Sequence, residues 1–461
     1  MNRLTLAVAG LLASIALQPL AAAETENFSV IVGGRNVGHL NAVTDGAKTV
    51  IDYDYKNNGR GPTIAEVVTV GPDGLPREWS VKGATTFGGK VDERFSLQGK
   101  KASWTDSAGT GSATASEPAL YVVQNGSPWS LGLYARALLK DSDGQMPAFP
   151  GGTLKLEKRD SFTVNGAGGP VQVTAYALSG IDYNPTYFLL DEQGRLFATI
   201  GRGIVVRKGY EGEDARLRAL DEKMSAARYA EIQRATAHKF DAPVRIRNVR
   251  IFDPKTMALT EPRSVLVYRN QIAAVEPLDS PATPGEVTID GAGGTLVPGM
   301  TEMHGHVSED DAVLNLAAGI TTIRDMGNRN EDLRAIMDRI AAGQSAGSRI
   351  VPSGFIEGRS PFSSNNGIVA ESEAQAVDAV RWYAARGFPQ IKIYNSINPA
   401  WVPAMIGEAH KLGMRVAGHV PAFATADQMM EAGYDEMTHI NQFVLGWILK
   451  PGEDTRNLLR L

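Results

Sequence analysis

Between Phe28 and Arg207 apolar and polar residues alternate, as in Thr49–Tyr55 and Glu66–Val70. This is the pattern of strands with one face buried. Turn clusters at Asn57-Asn58-Gly59, Pro72-Asp73-Gly74, Gly88-Gly89 and Asn165-Gly166 separate the runs at hairpin spacing. Asp191–Arg195 turns one more hairpin, between Phe188-Leu189-Leu190 and Leu196-Phe197-Ala198. The prediction is an antiparallel β-rich domain over 24–210. After Glu211 the period changes. Leu217, Leu220 and Met224 recur at helical spacing, which predicts an amphipathic helix to His238 and a helical linker over 211–240. Short strand runs return at Val244–Phe252, Ser264–Tyr268, Ile272–Glu276 and Val287–Asp290, predicting part of a small β-sandwich over 241–295.

From residue 296 onward helix, glycine and strand repeat. Leu333, Ile336, Met337 and Ile340 mark one helical face, and Val402, Met405, Ile406 and Ala409 another. Gly319, Gly343, Gly387, Gly413 and Gly433 fall where helices end. Strands follow at Ile320–Arg324, Arg349–Pro352, Gln390–Tyr394, Arg415–His419 and Glu436–Ile440, after a first strand that begins with the run Leu296–Met300. This succession predicts a parallel sheet, most simply the first six βα units of a (β/α)8 TIM-type barrel over 296–461. The expected fold class is therefore multidomain: an N-terminal antiparallel β-domain, part of a β-sandwich and an incomplete barrel.

Composition narrows the chemistry. The 461 residues are 43% hydrophobic and 21% charged, which is globular. A net charge of -5 gives no electrostatic case for nucleic acid. Cysteine is absent, so disulfides, thiolate catalysis and thiolate metal ligands are excluded. Arg3, the apolar run Leu4–Leu17 and Ala21-Ala22-Ala23 predict a secretory signal peptide over 1–23 and an exported, periplasmic or secreted protein. No later segment approaches the ~20 apolar residues of a membrane span.

Side chains two apart on a strand share a face. His304 and His306 therefore project together, with Glu302 behind them. In Ile391-Lys392-Ile393-Tyr394 the same alternation points Lys392 and Tyr394 inward if the isoleucines pack on helices. His419 ends the fifth strand and His439 the sixth, so four of the seven histidines meet on one rim. Barrel chemistry sits at that carboxyl end, and neutral imidazoles suit a zinc-type ion. The expectation is a divalent-metal site. His39, His238 and His410 read as strand, helix-terminus and surface residues. Lys392 buried among ligands loses basicity. A neutral amine beside metals can take up carbon dioxide as a carbamate that bridges two ions. The alternative is an ion pair with a carboxylate such as Glu302. Tyr394 and the loop Arg359–Asn366 are candidate substrate contacts.

Thr295–His306, the run Gly319–Gly327, the Lys392 strand and the His419/His439 pair resemble the metal-dependent amidohydrolase superfamily. The resemblance runs from Val244 onward and is strongest to imidazolonepropionase-like proteins and dipeptidases with a lysine on strand 4. It implies that His304 and His306 hold one Zn2+ and that His419 and His439 hold a second. Carboxylated Lys392 and a hydroxide would bridge them. Glu302 stands where the family usually has aspartate, in a supporting role. The implied reaction is hydrolysis of an amide, peptide-like or cyclic-amide C–N bond in a small molecule. The family's strand-8 aspartate, a metal ligand and proton shuttle, has no counterpart; Glu453 and Asp454 read as solvated residues. The sequence thus reads as truncated before strands 7 and 8. A missing C-terminal segment or a second polypeptide is expected to complete the barrel, unless the chain is a decayed copy; a homo-oligomer is a separate expectation. The competing class is a non-catalytic exported binding protein with a vestigial barrel.

Overall fold

The computed structural model describes residues 23–201, 203–450 and 452–460. The predicted signal peptide, Ala23 apart, lies outside the described residues. Fifteen strands, from Glu24–Val32 to Gly203–Arg207, build one sheet in which the first pairs with both the second and the last. Alternation explains the burial: in Thr63–Val70, Ile64, Glu66 and Val68 are buried while Ala65 and Val67 face out. The inward residues, among them Phe28, Leu40, Ile51 and Trp79, pack around a helix, Ser130–Leu138.

That helix corrects the all-strand expectation for this region. Eight of its nine residues are buried, so it lies wholly inside the sheet's core. One pairing is also parallel, joining Leu120-Tyr121 to Ala148-Phe149. The buried carboxylates in this core are satisfied. Glu66 accepts from Trp79 Nε1 at 2.9 Å and Ser127 N at 2.5 Å. Glu93 accepts from Tyr121 Oη and from the Gln124 and Asn125 amides.

The helix expected after Glu211 runs from Asp214 to Thr236, behind a single 3-10 turn at Glu211–Glu213. Its Leu217, Leu220 and Met224 pack on a second core with Ile31, Val173 and Phe197. The helix is therefore docked on the β-sheet rather than strung between units. His238 lies beyond its end, exposed and beside Phe240. His39 pairs across strands with Asp52 at 2.7 Å.

Next comes a small sheet centred on Val244–Asp253. It is antiparallel to Arg263–Tyr268 and parallel to Val287–Asp290. Its buried Arg245 is paired with Glu276 and Glu286. A seven-stranded parallel sheet follows, with six strands in sequential order: β1 Met300–Gly305, β2 Ile320–Asp325, β3 Arg349–Gly358, β4 Gln390–Ile393, β5 Arg415–Gly418 and β6 Glu436–Met437, while short Ile368–Ala370 pairs with the end of β3. The helices between them are α1 Glu309–Ala317, α2 Asn330–Ala341, α3 Glu373–Ala384, α4 Val402–Lys411 and α5 Ala426–Ala432. Ile391 and Ile393 pack with α3 and α4 through Val380, Tyr383, Met405 and Ile406.

β6 is shorter than the expected Glu436–Ile440. The chain turns at His439, with φ +66°, and Ile440 opens a short helix, α6 Ile440–Leu445. The sheet is strongly curled. Flat, β1 and β6 would stand about 24 Å apart, five steps of ~4.8 Å. Instead the rings of His304 and His439 lie 4.6 Å apart. Arg324 on β2 also reaches Glu436 on β6 through two bonds, of 2.7 and 2.5 Å. Among the described residues β1 and β6 each pair on one side only.

Candidate metal centre

The carboxyl edge of this curled sheet gathers all five expected ligands. His304 lies on β1 and His306 just past its end. Their rings are 5.5 Å apart, and His439 stands 4.6 Å from both His304 and His419. Two imidazoles sharing one tetrahedral ion have ring centres ~5 Å apart. Lys392 on β4 is fully buried, and its Nζ lies 3.0 Å from His304 Nε2.

Each ring is oriented by its surroundings. His306 Nδ1 donates to the Gly327 carbonyl at 2.7 Å, which leaves Nε2 as its lone pair. His419 Nδ1 lies 2.5 Å from Asn395 Oδ1, with the Gln442 amide nitrogen 3.0 Å away. His419 Nε2 is buried with no partner among the described residues. Asp325, wholly buried, accepts from Val307 N, Gly327 N and Asn328 Nδ2 and so shapes the turn beneath His306. Gly327 is required there. It has φ +145°, and a Cβ would meet the Phe355 ring at 2.5 Å.

Burial, then Lys392 and the neighbouring rings, hold His304 down to about 3. The same causes hold His439 at about 4 and His419 well below its usual range. Desolvation lowers Lys392 to about 7. Neutral imidazoles and an amine that deprotonates near neutrality are the states that ligation and carbamate formation need. The orphaned Nε2 of His419 and the neutral donor set fit a divalent ion. Among the described residues, however, no three His, Cys, Asp or Glu side chains already converge on one point.

Glu302 is not paired with Lys392. Its carboxylate accepts from the His304 amide at 2.7 Å. Tyr394 is buried with its ring 4.2 Å from His419. His410 pairs with Asp435 on the surface. The loop after β3 meets the β-domain, where Phe362 and Asn365 face Gly59 and Gly33. Asp454 is held by Arg456. Asn395, Gln442 and Asp325 were not anticipated from the sequence. Only Asn395, next to the Lys392-Ile393-Tyr394 run, carried a local signal.

Glu357, at the end of β3, is wholly buried and accepts from Gly358 N, Ser364 N and Ser396 N. Desolvation pushes it from 4.5 up to about 7, against those donors and Arg460. Between pH 4.5 and 7 the unfolded chain loses this proton while the folded chain keeps it, so stability falls as pH rises. The expected contribution is about 3 kcal/mol. Urea unfolding at pH 5 and 7 should show a smaller drop in Glu357→Gln. An equal drop in both proteins would refute the assignment.

No protein-family model matches the chain, and no curated protein matches it. Solved structures similar to it include an amidohydrolase, 21% identical, over 43% of this chain and 61% of that one, with a TM-score of 0.36. A Xaa-Pro dipeptidase with bound methionine in the active site is 21% identical over 43% and 62%, TM-score 0.36. The bottromycin amidohydrolase is 21% identical over 50% and 49%, TM-score 0.39. The chain thus spans about six tenths or less of the length of these structures. At these TM-scores the likeness carries no assignment of activity.

Proposed function

We propose that the chain is the site-bearing part of an exported, metal-dependent hydrolase that cuts amide, peptide-like or cyclic-amide C–N bonds. The observation that carries this reading is the convergence of His304, His306, His419, His439 and buried Lys392 at the carboxyl edge of a sequentially ordered parallel sheet. We read that sheet as the first six units of a (β/α)8 barrel, preceded by a β-domain, a docked helix and part of a sandwich. His304 and His306 would hold one divalent ion, most simply zinc, and His419 and His439 a second, with carboxylated Lys392 between them.

When bound, such ions polarise a carbonyl and acidify water. The chain's own groups do the positioning. The Gly327 carbonyl holds the His306 ring in the tautomer with Nε2 free, and Asn395 orients the His419 ring. Tyr394 walls the site beside His419. The nearby carboxylates are engaged elsewhere: Glu302 on the His304 amide, Asp325 on its turn and Glu436 on Arg324. None of these three is assigned as proton donor to the leaving nitrogen. A further segment, a second polypeptide or a second copy would cover the exposed Met303, Ile440 and Trp447 beside the open edges.

A second reading is an exported binding protein with a vestigial site, in keeping with the lack of a preformed three-ligand group among the described residues. Metal content of the purified chain after growth with zinc separates the two. About two ions per chain, as two-metal hydrolysis requires, together with cleavage of dipeptides or cyclic amides, supports the hydrolase. A chain that takes up no metal supports the binding protein.

A further inference from the structure

β1 and β6 stand at opposite ends of the strand order, so among the described residues the ladders link His304 to His439 only through four intervening strands. Arg324 on β2 makes a direct link. Its neighbour Ile323 packs with Ala312, Leu333 and Ile336 on the helices, so strand alternation turns Arg324 to the inner face. There its Nε donates to the Met303 carbonyl at 2.7 Å, and Nη1 and Nη2 donate to the two Glu436 oxygens at 2.7 and 2.5 Å. Only the planar fork of an arginine reaches both carboxylate oxygens in this way.

The carbonyl that Arg324 takes belongs to the peptide that carries His304. Around it the register of β1 against β2 slips: Glu302 pairs with Ile323 and Gly305 with Asp325, so Met303 and His304 stand against Arg324 alone. Such a bulge re-aims a side chain and interrupts the ladder, and the backbone groups it frees need other partners. Both polar ends of the Met303–His304 peptide are held by side chains, the carbonyl by Arg324 and the amide by Glu302 at 2.7 Å. At the far end Glu436 lies three residues before His439. The Thr438 amide between them donates to the carbonyl of Gly418, the residue before His419. The bridge thus runs from the His304 peptide to the strand ends that carry the other two rings. With its side chain 12% exposed, Arg324 is shielded from the water that weakens surface ion pairs. Next to the larger effect of burial, Arg324 disfavours protonation of Lys392 and Glu436 favours it. As a pair they bring no net charge to the site.

We propose that Arg324, braced by Glu436, is a positioning residue of the candidate metal centre. It fixes the peptide of His304 and sets the spacing of that ring from His439 and His419. This role rests on the metal-centre reading above and not on which bond is cut.

The test is titration of the purified chain with Co2+, followed by visible absorption, with urea unfolding of each variant as control. Arg324→Lys keeps the charge but replaces the fork by a single ammonium, and Glu436→Gln removes the charged brace. Each is expected to weaken Co2+ binding ~10–100-fold, as loss of an outer partner of a metal ligand does, and to alter the absorption of the loaded site. The double variant should bind no more weakly than the worse single one, because both changes break one link. A pair acting through charge alone would leave Arg324→Lys at the unaltered affinity and weaken only Glu436→Gln. A pair that only stabilises the fold would lower the urea midpoint and leave Co2+ affinity intact. Either result, or additive losses in the double variant, would overturn the positioning role. Glu436→Asp keeps the charge, shortens the reach and serves where Arg324→Lys does not fold: weaker binding supports the bridge, and unchanged binding overturns it. An unaltered chain that binds no Co2+ would overturn the metal-centre reading and this role with it, whereas unchanged affinity in folded variants overturns this role alone.

Discussion

Lys392→Ala is expected to fold and to lose one or both metal ions. The lysine is wholly buried, and burial has already lowered its pKa to about 7. Truncating it removes a group that resists burial as well as its packing, so the two effects on stability oppose one another. The effect on metal is one-sided. A bridging carbamate contributes a ligand to each ion, and loss of even an outer partner typically weakens metal binding ~10–100-fold. Metal analysis of the purified variant beside the unaltered chain, with thermal unfolding as control, reads the result. A folded variant with unchanged metal content would remove the carbamate bridge from the mechanism.

The second large effect is expected at Asp325. Its oxygens accept from Val307 N at 2.8 Å, Gly327 N at 3.0 Å and Asn328 Nδ2 at 3.1 Å, in a fully buried setting. Bonds to a charged acceptor contribute about 1.5–3 kcal/mol each, and orphaned buried donors add a penalty. Asp325→Ala should lower stability by about 3 kcal/mol or more. It should also loosen the Gly327 carbonyl that fixes His306, weakening metal binding ~10–100-fold. Urea unfolding and competition with a chelator measure the two. Asp325→Asn, which keeps one acceptor, should fall between. If Asp325→Ala matches the unaltered chain in both, Asp325 neither holds the turn nor serves the site.

Local periodicity made much of this legible. The inward direction of Lys392 follows from Ile391 and Ile393 packing on α3 and α4, because strand alternation is set by the backbone. The Leu217, Leu220 and Met224 stripe marked the docked face of its helix for the same reason. Where local pattern was silent, the reading failed. Ser130–Leu138 is a helix of nine residues, buried on nearly every side within a β-rich region. β6 ends early where His439 adopts φ +66° and the helix Ile440–Leu445 begins.

The sequence by itself determined where His304, His306, Lys392, His419 and His439 stand, each at the end or inner face of a strand with a readable period. The absence of cysteine likewise limited any metal to nitrogen and oxygen ligands. Only the tertiary structure decided how those residues are oriented and what guards them. Asn395 and Gln442 reach His419, Glu302 turns to its own strand, and Arg324 crosses to Glu436. Arg460 reaches the Asn58 carbonyl across 402 residues of chain separation. Such contacts depend on sheet curl and on the docking of one unit against another. Neither leaves a periodic trace, because each is an interaction between residues distant in sequence.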